Sequence, residues 1–125
     1  MFLLDTHALL WFLSDDPKLP AVVKTTIESE QVLGVSIASF WEIAIKESIG
    51  KLSLPAPIMV LMEDCEKLGF FILPIRAVHL ALLNSLPKIH GDPFDRLLIC
   101  QAKAEGFTLI TADENVLKYD VPTLW

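Results

Sequence analysis

The sequence has only two cysteines, and neither is placed for cysteine chemistry. Cys65 and Cys100 stand far apart, each within a segment that has helical periodicity. Zinc sites and redox motifs need paired cysteines or histidines a few residues apart. We therefore expect two buried core thiols, and neither a zinc site nor a redox motif.

Hydrophobic runs long enough to cross a membrane are also missing. Residues 1–13 contain Asp5 and lack the basic flank and small-residue cleavage site of a signal peptide. Residues 52–62 carry no charge, but the run is too short for a bilayer and contains Pro55 and Pro57. We expect a soluble, cytoplasmic protein that makes no membrane contact.

Positive charge is in deficit. Ten Lys and Arg residues face sixteen Asp and Glu residues, for a net charge of -6. A protein that coats nucleic acid does so through a basic surface. Any activity on nucleic acid must therefore come from a local site.

The chain has the composition of one folded unit. It has 125 residues, 53% of them hydrophobic, with no low-complexity stretch and no solenoid repeat. This is enough apolar material for one core. We expect a single domain over residues 1–125.

Short apolar runs alternate with stretches of helical periodicity. Strands are predicted over residues 2–4, 32–35, 70–73 and 108–110, with a last short one near 122–124. Helices are predicted over residues 6–13, after Pro20, and over 37–49, 58–68, 78–86 and 94–105. Strands separated by helices imply right-handed crossovers. The pattern predicts an α/β fold, a flavodoxin-like doubly wound parallel sheet of four to five strands with helices on both faces.

Two acidic residues follow predicted strands. Asp5 ends the first strand and Asp113 lies just after the fourth. Ligands of such sheets bind at the carboxyl ends of the strands, where the strand order reverses. In a flavodoxin-like order Asp5 and Asp113 flank that point, so we expect them to share one crevice.

Glu42 and Asp113 each have an ordinary structural interpretation. Ser39 as N-cap and Glu42 as third helical residue would form a capping box. Thr111 and Glu114 would form another around a turn at Asp113. Taken alone, each interpretation accounts for its acid.

Asp95 has a similar interpretation, whereas Asp5 does not. Asp92 fits an N-cap, Pro93 the first helical position and Asp95 the third, where an acid favours the helix dipole. Asp5 interrupts an apolar strand with no basic neighbour in the sequence. A buried lone carboxylate is costly unless it is paired, hydrogen-bonded or bound to a metal.

Four acids together change the interpretation. Carboxylates gathered at one end of a sheet repel and raise one another's pKa unless a cation offsets them. Oxygen ligands suit Mg²⁺ or Mn²⁺, which can bridge to phosphate oxygens and activate water. Asp5, Glu42, Asp95 and Asp113 therefore point to hydrolysis of phosphodiesters.

Four motifs resemble those of the PIN-domain family, most closely the VapC-type toxins of toxin–antitoxin pairs. Their order and spacing agree over essentially the whole chain, and together they are specific where each alone is weak. The motifs are Phe2-Leu3-Leu4-Asp5-Thr6-His7, Ser39-Phe40-Trp41-Glu42-Ile43-Ala44-Ile45-Lys46, Asp92-Pro93-Phe94-Asp95-Arg96-Leu97-Leu98-Ile99 and Thr111-Ala112-Asp113.

The resemblance implies an Mg²⁺- or Mn²⁺-dependent ribonuclease, usually a homodimer that a cognate antitoxin inhibits. Its acids correspond to Asp5, Glu42, Asp95 and Asp113, which are then both catalytic and metal-binding. The hydroxyl of Thr6 or Thr111 would support the metal. His7 departs from the family, which often has Asn there, but no carboxylate is lost.

Two basic residues follow the acids closely. Arg96 stands one residue after Asp95, and Lys46 stands four residues after Glu42. Because both acids are predicted metal ligands, either basic side chain is placed to meet a phosphate. The ordinary alternative is helical pairing, of Arg96 with Asp92 and of Lys46 with Glu42.

The histidines stay outside the predicted catalytic set. A metal-activated water needs no separate base, and His7 fits a hydrogen-bonding residue at a helix start. His90 fits a solvated loop residue, with substrate contact as the alternative. His79 belongs to a helix.

Aromatic side chains are concentrated on the first and third predicted helices. Core packing is the default for Trp11, Phe12, Phe40 and Trp41. Any that remain exposed would suit a dimer face or a groove for an antitoxin helix.

Three other functions share parts of this pattern. A phosphoacceptor receiver domain needs an acid at the end of the third strand, where residues 71–74 have none. A haloacid-dehalogenase-type phosphatase needs two aspartates flanking one residue, and Asp5-Thr6-His7 lacks the second. A PIN-like binding module without catalysis is the third, and the presence of all four acids argues against it.

Overall fold

The computed structural model describes residues 1–30 and 32–125 and contains a five-stranded, all-parallel sheet of order β3-β2-β1-β4-β5. The strands are β1 (Phe2–Leu4), β2 (Leu33–Ser36), β3 (Phe70–Leu73), β4 (Thr108–Ile110) and β5 (Thr123–Leu124). From the central β1 the chain adds β2 and β3 on one side, then β4 and β5 on the other. The order therefore reverses between β1 and β4, and Asp5 and Asp113 lie on either side of that point, as predicted.

Helices connect the strands, near their predicted positions. They are α1 (Thr6–Leu13), α2 (Ala21–Ser29), α3 (Ile37–Ser48), α4 (Ile58–Lys67), α5 (Ala77–Leu83) and α6 (Pro93–Glu105), with a 3₁₀ turn at Val116–Lys118. The α5 helix ends three residues before the predicted end at Leu86, because Pro87 disfavours a helical conformation in the residue before it. Within the described ranges, no helix is long and apolar enough to cross a bilayer.

The two faces of the sheet carry separate hydrophobic cores. Leu4 of β1 and Ile110 of β4 point to the face covered by α1 to α4. Their neighbours Leu3 and Leu109 point to the opposite face, which α5 and α6 cover. Because successive side chains of a strand alternate between faces, strands buried on both sides are apolar at every position.

Both cysteines lie in these cores, as predicted. Cys65 on α4 and Cys100 on α6 are buried and free. Burial raises the pKa of the Cys65 thiol to about 11, and it raises that of Cys100 as well. A buried thiol with a raised pKa is poorly reactive, so both act as apolar core residues.

Two glycines serve close packing and helix termination. A side chain at Gly34 of β2 would lie 2.8 Å from Cζ of Phe71, so the glycine leaves room for that ring on the sheet. Gly106 has a φ of 74° and ends α6 in the left-handed conformation, which turns the chain into β4. Because β4 pairs with β1 in parallel, the carboxyl ends of the two strands lie side by side.

Candidate functional site

Asp5 leaves β1 and starts α1. Its backbone N–H donates to the carbonyl of Ile110 at 3.0 Å, and its Oδ1 accepts from the N–H of Ala8 at 2.8 Å. Asp5 is therefore an N-cap, a role that the sequence interpretation did not assign to it. Burial raises the pKa of Asp5, the hydrogen bonds from Thr111 and Ala8 lower it in part, and the charge of Asp113 raises it further.

Glu42 is not part of a capping box, and the predicted N-cap at Ser39 is wrong. The α3 helix starts at Ile37, and its N-cap is Ser36, whose Oγ accepts from the N–H of Ala38 at 3.1 Å. The cap comes earlier than predicted because β2 passes into α3 without a loop. Glu42 is consequently the sixth helical residue, beyond the reach of the free N–H groups of the first turn.

The carboxylate of Glu42 is turned toward α1. Its Oε1 accepts from the Thr6 hydroxyl at 2.7 Å, and its Oε2 accepts from Lys46 Nζ at 2.8 Å. Only 8% of Glu42 is exposed. The predicted helical pair with Lys46 is confirmed. Through its hydrogen bond with Thr6, Glu42 is also joined to the residue that directly follows Asp5 in the chain.

Asp95 lies in the first turn of α6, as predicted. Asp92 is the N-cap and accepts from the N–H groups of Phe94 and Asp95 at 2.9 and 3.0 Å, with Pro93 as the first helical residue. The side chain of Asp95 is not needed for capping. It is partly buried, and its Oδ2 accepts from His90 Nε2 at 3.2 Å.

The environment of Asp95 disfavours its charge. Burial is the main cause, and the negative charges of Asp92, Asp113 and Asp5 add to it, so that the pKa of Asp95 is raised to about 6 although the bond from His90 lowers it. Among the residues that the structure describes, no Lys or Arg pairs with Asp5, Asp95 or Asp113.

Asp113 follows β4 in a turn, as predicted. Its N–H donates to Thr111 Oγ1 at 3.1 Å, and its Oδ1 accepts from the N–H of Asn115 at 2.8 Å. Because Thr111 bonds the amide of Asp113, the capping box predicted for Thr111 and Glu114 does not form. Asp113 and Asp5 line one cleft of about 190 Å³.

His90 is a functional neighbour that the sequence interpretation missed. It was predicted to be a solvated loop residue, but its side chain is only 13% exposed and lies between Asp95 and Tyr119. Its Nδ1 is 2.8 Å from the Tyr119 hydroxyl, and its backbone N–H donates to the same hydroxyl at 3.2 Å. The sequence gives no signal for this contact, because Tyr119 is 29 residues away.

Arg96 supports the same hydroxyl. Its Nη1 donates to the Tyr119 oxygen at 3.0 Å and to the Pro87 carbonyl at 2.8 Å, and its Nη2 donates to the Leu86 carbonyl at 3.3 Å. Within residues 1–30 and 32–125, Arg96 makes no ion pair with Asp92, so that predicted pair is wrong. The guanidinium is instead occupied in holding the loop before α6.

These contacts fix the orientation of His90. The Tyr119 hydroxyl accepts from Arg96 and from the His90 amide, so its single proton is left to bond His90 Nδ1. The neutral ring then carries its proton on Nε2, the nitrogen that faces Asp95. A chain of hydrogen bonds thus runs from Arg96 through Tyr119 and His90 to Asp95.

The donor set fits a hydrated Mg²⁺ or Mn²⁺. In the part of the chain that the structure describes, no three His, Cys, Asp or Glu side chains stand close enough to hold a metal ion as they are. Mg²⁺ nevertheless keeps several waters and needs only one or two carboxylates from the protein. Asp5, Asp95 and Asp113 supply oxygen donors. The charge of Asp113 raises the pKa of Asp5, and the charges of Asp113 and Asp5 raise the pKa of Asp95, while the neighbouring His7 and His90 offset these effects only in part.

Replacing Tyr119 by Phe tests the chain of bonds that ends at Asp95. The change removes the acceptor of the His90 amide and the hydroxyl that bonds His90 Nδ1, which should lower the free energy of unfolding by about 1–3 kcal/mol. Urea unfolding of the variant and the parent measures this. Phe12→Leu, a change in the other core, serves as control, and it should not alter the NMR signals of the His90 ring. Unchanged His90 signals in Tyr119→Phe would contradict the proposed contact.

Comparison with known proteins agrees with this geometry. The PIN domain family model matches residues 2–122. Ribonuclease VapC22 of Mycobacterium tuberculosis is 30% identical, with 98% of this chain and 97% of that protein aligned.

Solved structures show the same fold. VapBC2 from Rickettsia felis, bound to a DNA fragment from their promoter, aligns with a TM-score of 0.73 at 14% identity, covering 98% of this chain and 96% of that one. FitAcB from Neisseria gonorrhoeae aligns with a TM-score of 0.69 at 22% identity, covering 100% and 97%. Because the family model spans nearly all of the sequence and a relative at 30% identity aligns over nearly its full length, this chain belongs to the PIN-domain family.

Proposed function

We propose that this chain, as one PIN domain over residues 1–125, is an Mg²⁺- or Mn²⁺-dependent ribonuclease that hydrolyses RNA phosphodiester bonds. It is the toxin of a toxin–antitoxin pair. The observation that carries the proposal is the grouping of Asp5, Asp95 and Asp113 at the point where the strand order reverses, with no Lys or Arg paired to them among the described residues. Ribonuclease VapC22, the relative at 30% identity, is consistent with the same activity.

The site residues divide into two groups. Asp5, Asp95 and Asp113 are the acids that influence one another's charge, and they would hold the metal. When bound, the metal supplies positive charge that activates water and offsets the charge of the phosphate. Glu42 completes the acidic set through Thr6, whose hydroxyl it holds beside Asp5.

Supporting residues keep these acids in place. Thr111 is buried, accepts from the amide of Asp113, and lowers the pKa of Asp5, so its hydroxyl acts on both strand-end acids. His90 holds Asp95 through Nε2 and restrains its rotation. Lys46 is bound to Glu42 and is 37% exposed, which leaves its ammonium accessible to a substrate phosphate.

The topology argues against the receiver-domain alternative. A phosphoacceptor would have to follow β3, but β3 lies at the edge of the sheet, two strands away from β1, and ends at Leu73. The strand next to β1 on the other side is β4. A binding module without catalysis is the alternative that the first experiment below tests.

Partner binding is proposed on a second surface. A groove of about 570 Å³ lies between α1, the end of α3 and residues 51–55, and Leu10, Leu13, Leu52 and Leu54 give it an apolar lining. Its edge includes Thr6 and His7, next to the acidic cleft. We propose that an apolar segment of a small antitoxin protein binds this groove and thereby blocks the site.

A homodimer is proposed for the free toxin in the cytoplasm. Trp41 and Ile45 of α3 and Ile49, its C-cap, recur at a spacing of four residues and are 58%, 37% and 59% exposed. Trp41 also packs edge-on against Phe94 of α6, with ring centroids 5.3 Å apart. An exposed apolar strip of this kind favours association with a second copy.

Removal of one carboxylate tests the nuclease proposal. Asp5→Asn and Asp113→Asn should each lower the rate of RNA cleavage in Mg²⁺ by at least about 100-fold, because metal assistance is worth several kcal/mol. EDTA should abolish cleavage by the parent. Gel assays with labelled RNA measure the rates.

Asp64→Asn is the matched control, since Asp64 is an exposed acid on α4 outside the cleft. It should cleave at the parental rate. If folded Asp5→Asn and Asp113→Asn cleave RNA as fast as the parent, or if the parent does not cleave at all, the nuclease proposal is wrong and the binding module stands.

Light scattering and co-purification test the partners. The pure chain should scatter as twice its mass of 14.0 kDa. Purified from its native host under mild conditions, it should retain a small protein, and a Leu54→Asp variant should lose it because the charge enters the apolar groove. A monomer at high micromolar concentration contradicts the dimer, and purification without any small partner contradicts the antitoxin.

A further inference from the structure

One side of the acidic cleft is aromatic. His7, Trp11 and Trp125, here called the aromatic wall, line the cleft together with Asp5, Asp113 and Ala112. The ring centroids of His7 and Trp11 are 5.7 Å apart, and those of Trp11 and Trp125 are 5.8 Å apart. Three rings thus stand side by side within reach of two proposed metal ligands.

Core packing accounts for only part of this arrangement, since Trp11 also packs against the core on the face covered by α1 to α4. The α1 helix buries Ala8 and Leu9 completely, whereas His7 is exposed and Trp11 is only partly buried. Trp125, after β5, is 39% exposed. Contact between Trp11 and Trp125 helps to hold β5 near α1, but ring surface remains open toward the cleft.

Basic side chains surround the wall in an otherwise acidic protein. Lys18 places its Nζ 5.7 Å from the ring centroid of Trp11. His7 and Trp11 also form the edge of the wider groove, which Lys46 and Lys51 line. In a chain of net charge -6, this local grouping of positive charge favours an anionic ligand at the wall, and the open ring faces suit the bases of a nucleic acid.

We propose that the aromatic wall stacks a nucleobase of single-stranded RNA adjacent to the phosphate that would be cleaved at the proposed metal site. The inference rests on the proposed nuclease function and adds the means of positioning the substrate. Every base has a π-face, and stacking on an aromatic side chain contributes about 1–3 kcal/mol per base. The lysines around the wall would then neutralise the flanking phosphates.

Binding of two labelled oligonucleotides tests the proposal. One is a short uridine RNA, and the other has the same length and phosphates with abasic spacers in place of the nucleotides' bases. Fluorescence anisotropy is measured with Ca²⁺ in place of Mg²⁺, and a gel confirms that the RNA stays intact. The parent should bind the uridine RNA about 10-fold more tightly than the abasic strand, which corresponds to one stacked base.

Variants of the wall should remove this ratio without removing binding to phosphate. Trp11→Leu and His7→Ala should bring the two affinities close to equal, while Trp11→Phe keeps most of the difference. Phe71→Leu is the control, because Phe71 is a partly exposed aromatic residue that lines neither the cleft nor the groove, and the change keeps the position apolar. Thermal unfolding by circular dichroism confirms folding, and the exposed position of His7 keeps one variant usable if Trp11→Leu does not fold.

Equal affinity of the parent for both strands overturns the inference, as does a ratio that persists in His7→Ala and Trp11→Leu. Either result would favour binding of a protein partner, and not of a nucleobase, at the aromatic wall. Base-dependent binding without Mg²⁺-dependent cleavage would support stacking while the nuclease proposal fails. Cleavage of both strands at equal rates would support the nuclease proposal while the stacking proposal fails.

Discussion

Carboxylates held close together at the end of a parallel sheet are the constraint around which this structure is arranged. Asp5 is fixed by the N-terminus of α1, Asp113 by the turn after β4 and Asp95 by the first turn of α6. Because the pKa of Asp95 is raised to about 6, its native carboxyl binds a proton more tightly than the unfolded one. The metal-free fold therefore loses stability as the pH rises from the unfolded pKa, about 3.9, through about 6.

The elements around the carboxylates oppose this repulsion without neutralising it. Thr6 donates its hydroxyl hydrogen bond to Glu42, and the Thr111 hydroxyl accepts from the amide of Asp113. His90, fixed by Tyr119, donates to Asp95. Hydrogen bonds of this kind orient the oxygens and leave the net negative charge in place. In the proposed function, a divalent cation would relieve this repulsion, which gives it a free-energy reason to bind.

The sequence predicted the fold well because its signals are local or periodic. The strands at residues 2–4 and 70–73 are short and wholly apolar, and Gly106 marks the end of α6. Asp5 and Asp113 could be placed together because parallel topology brings the carboxyl ends of strands to one edge. The cap at Ser36 was missed because β2 runs directly into α3, so no loop residues mark the boundary.

Contacts between side chains that are far apart in the chain could not be predicted from the sequence. His90 and Arg96 both depend on the hydroxyl of Tyr119, which approaches only after β4 and the 3₁₀ turn have packed on α6. The aromatic wall likewise unites residues from both ends of the described chain. Spacing indicates which residues share an element, but it does not show which elements pack together.

Thermal unfolding of the parent and of Asp95→Asn, each with and without Mg²⁺, tests the central claim most directly. Without metal, Asp95→Asn should melt a few degrees above the parent, since about 1 kcal/mol shifts the Tm by roughly 3–5 °C for a chain of this size. Mg²⁺ at about ten times its Kd should raise the Tm of the parent by a similar amount and that of the variant much less. A parent that is more stable than the metal-free variant and does not respond to Mg²⁺ would contradict the account.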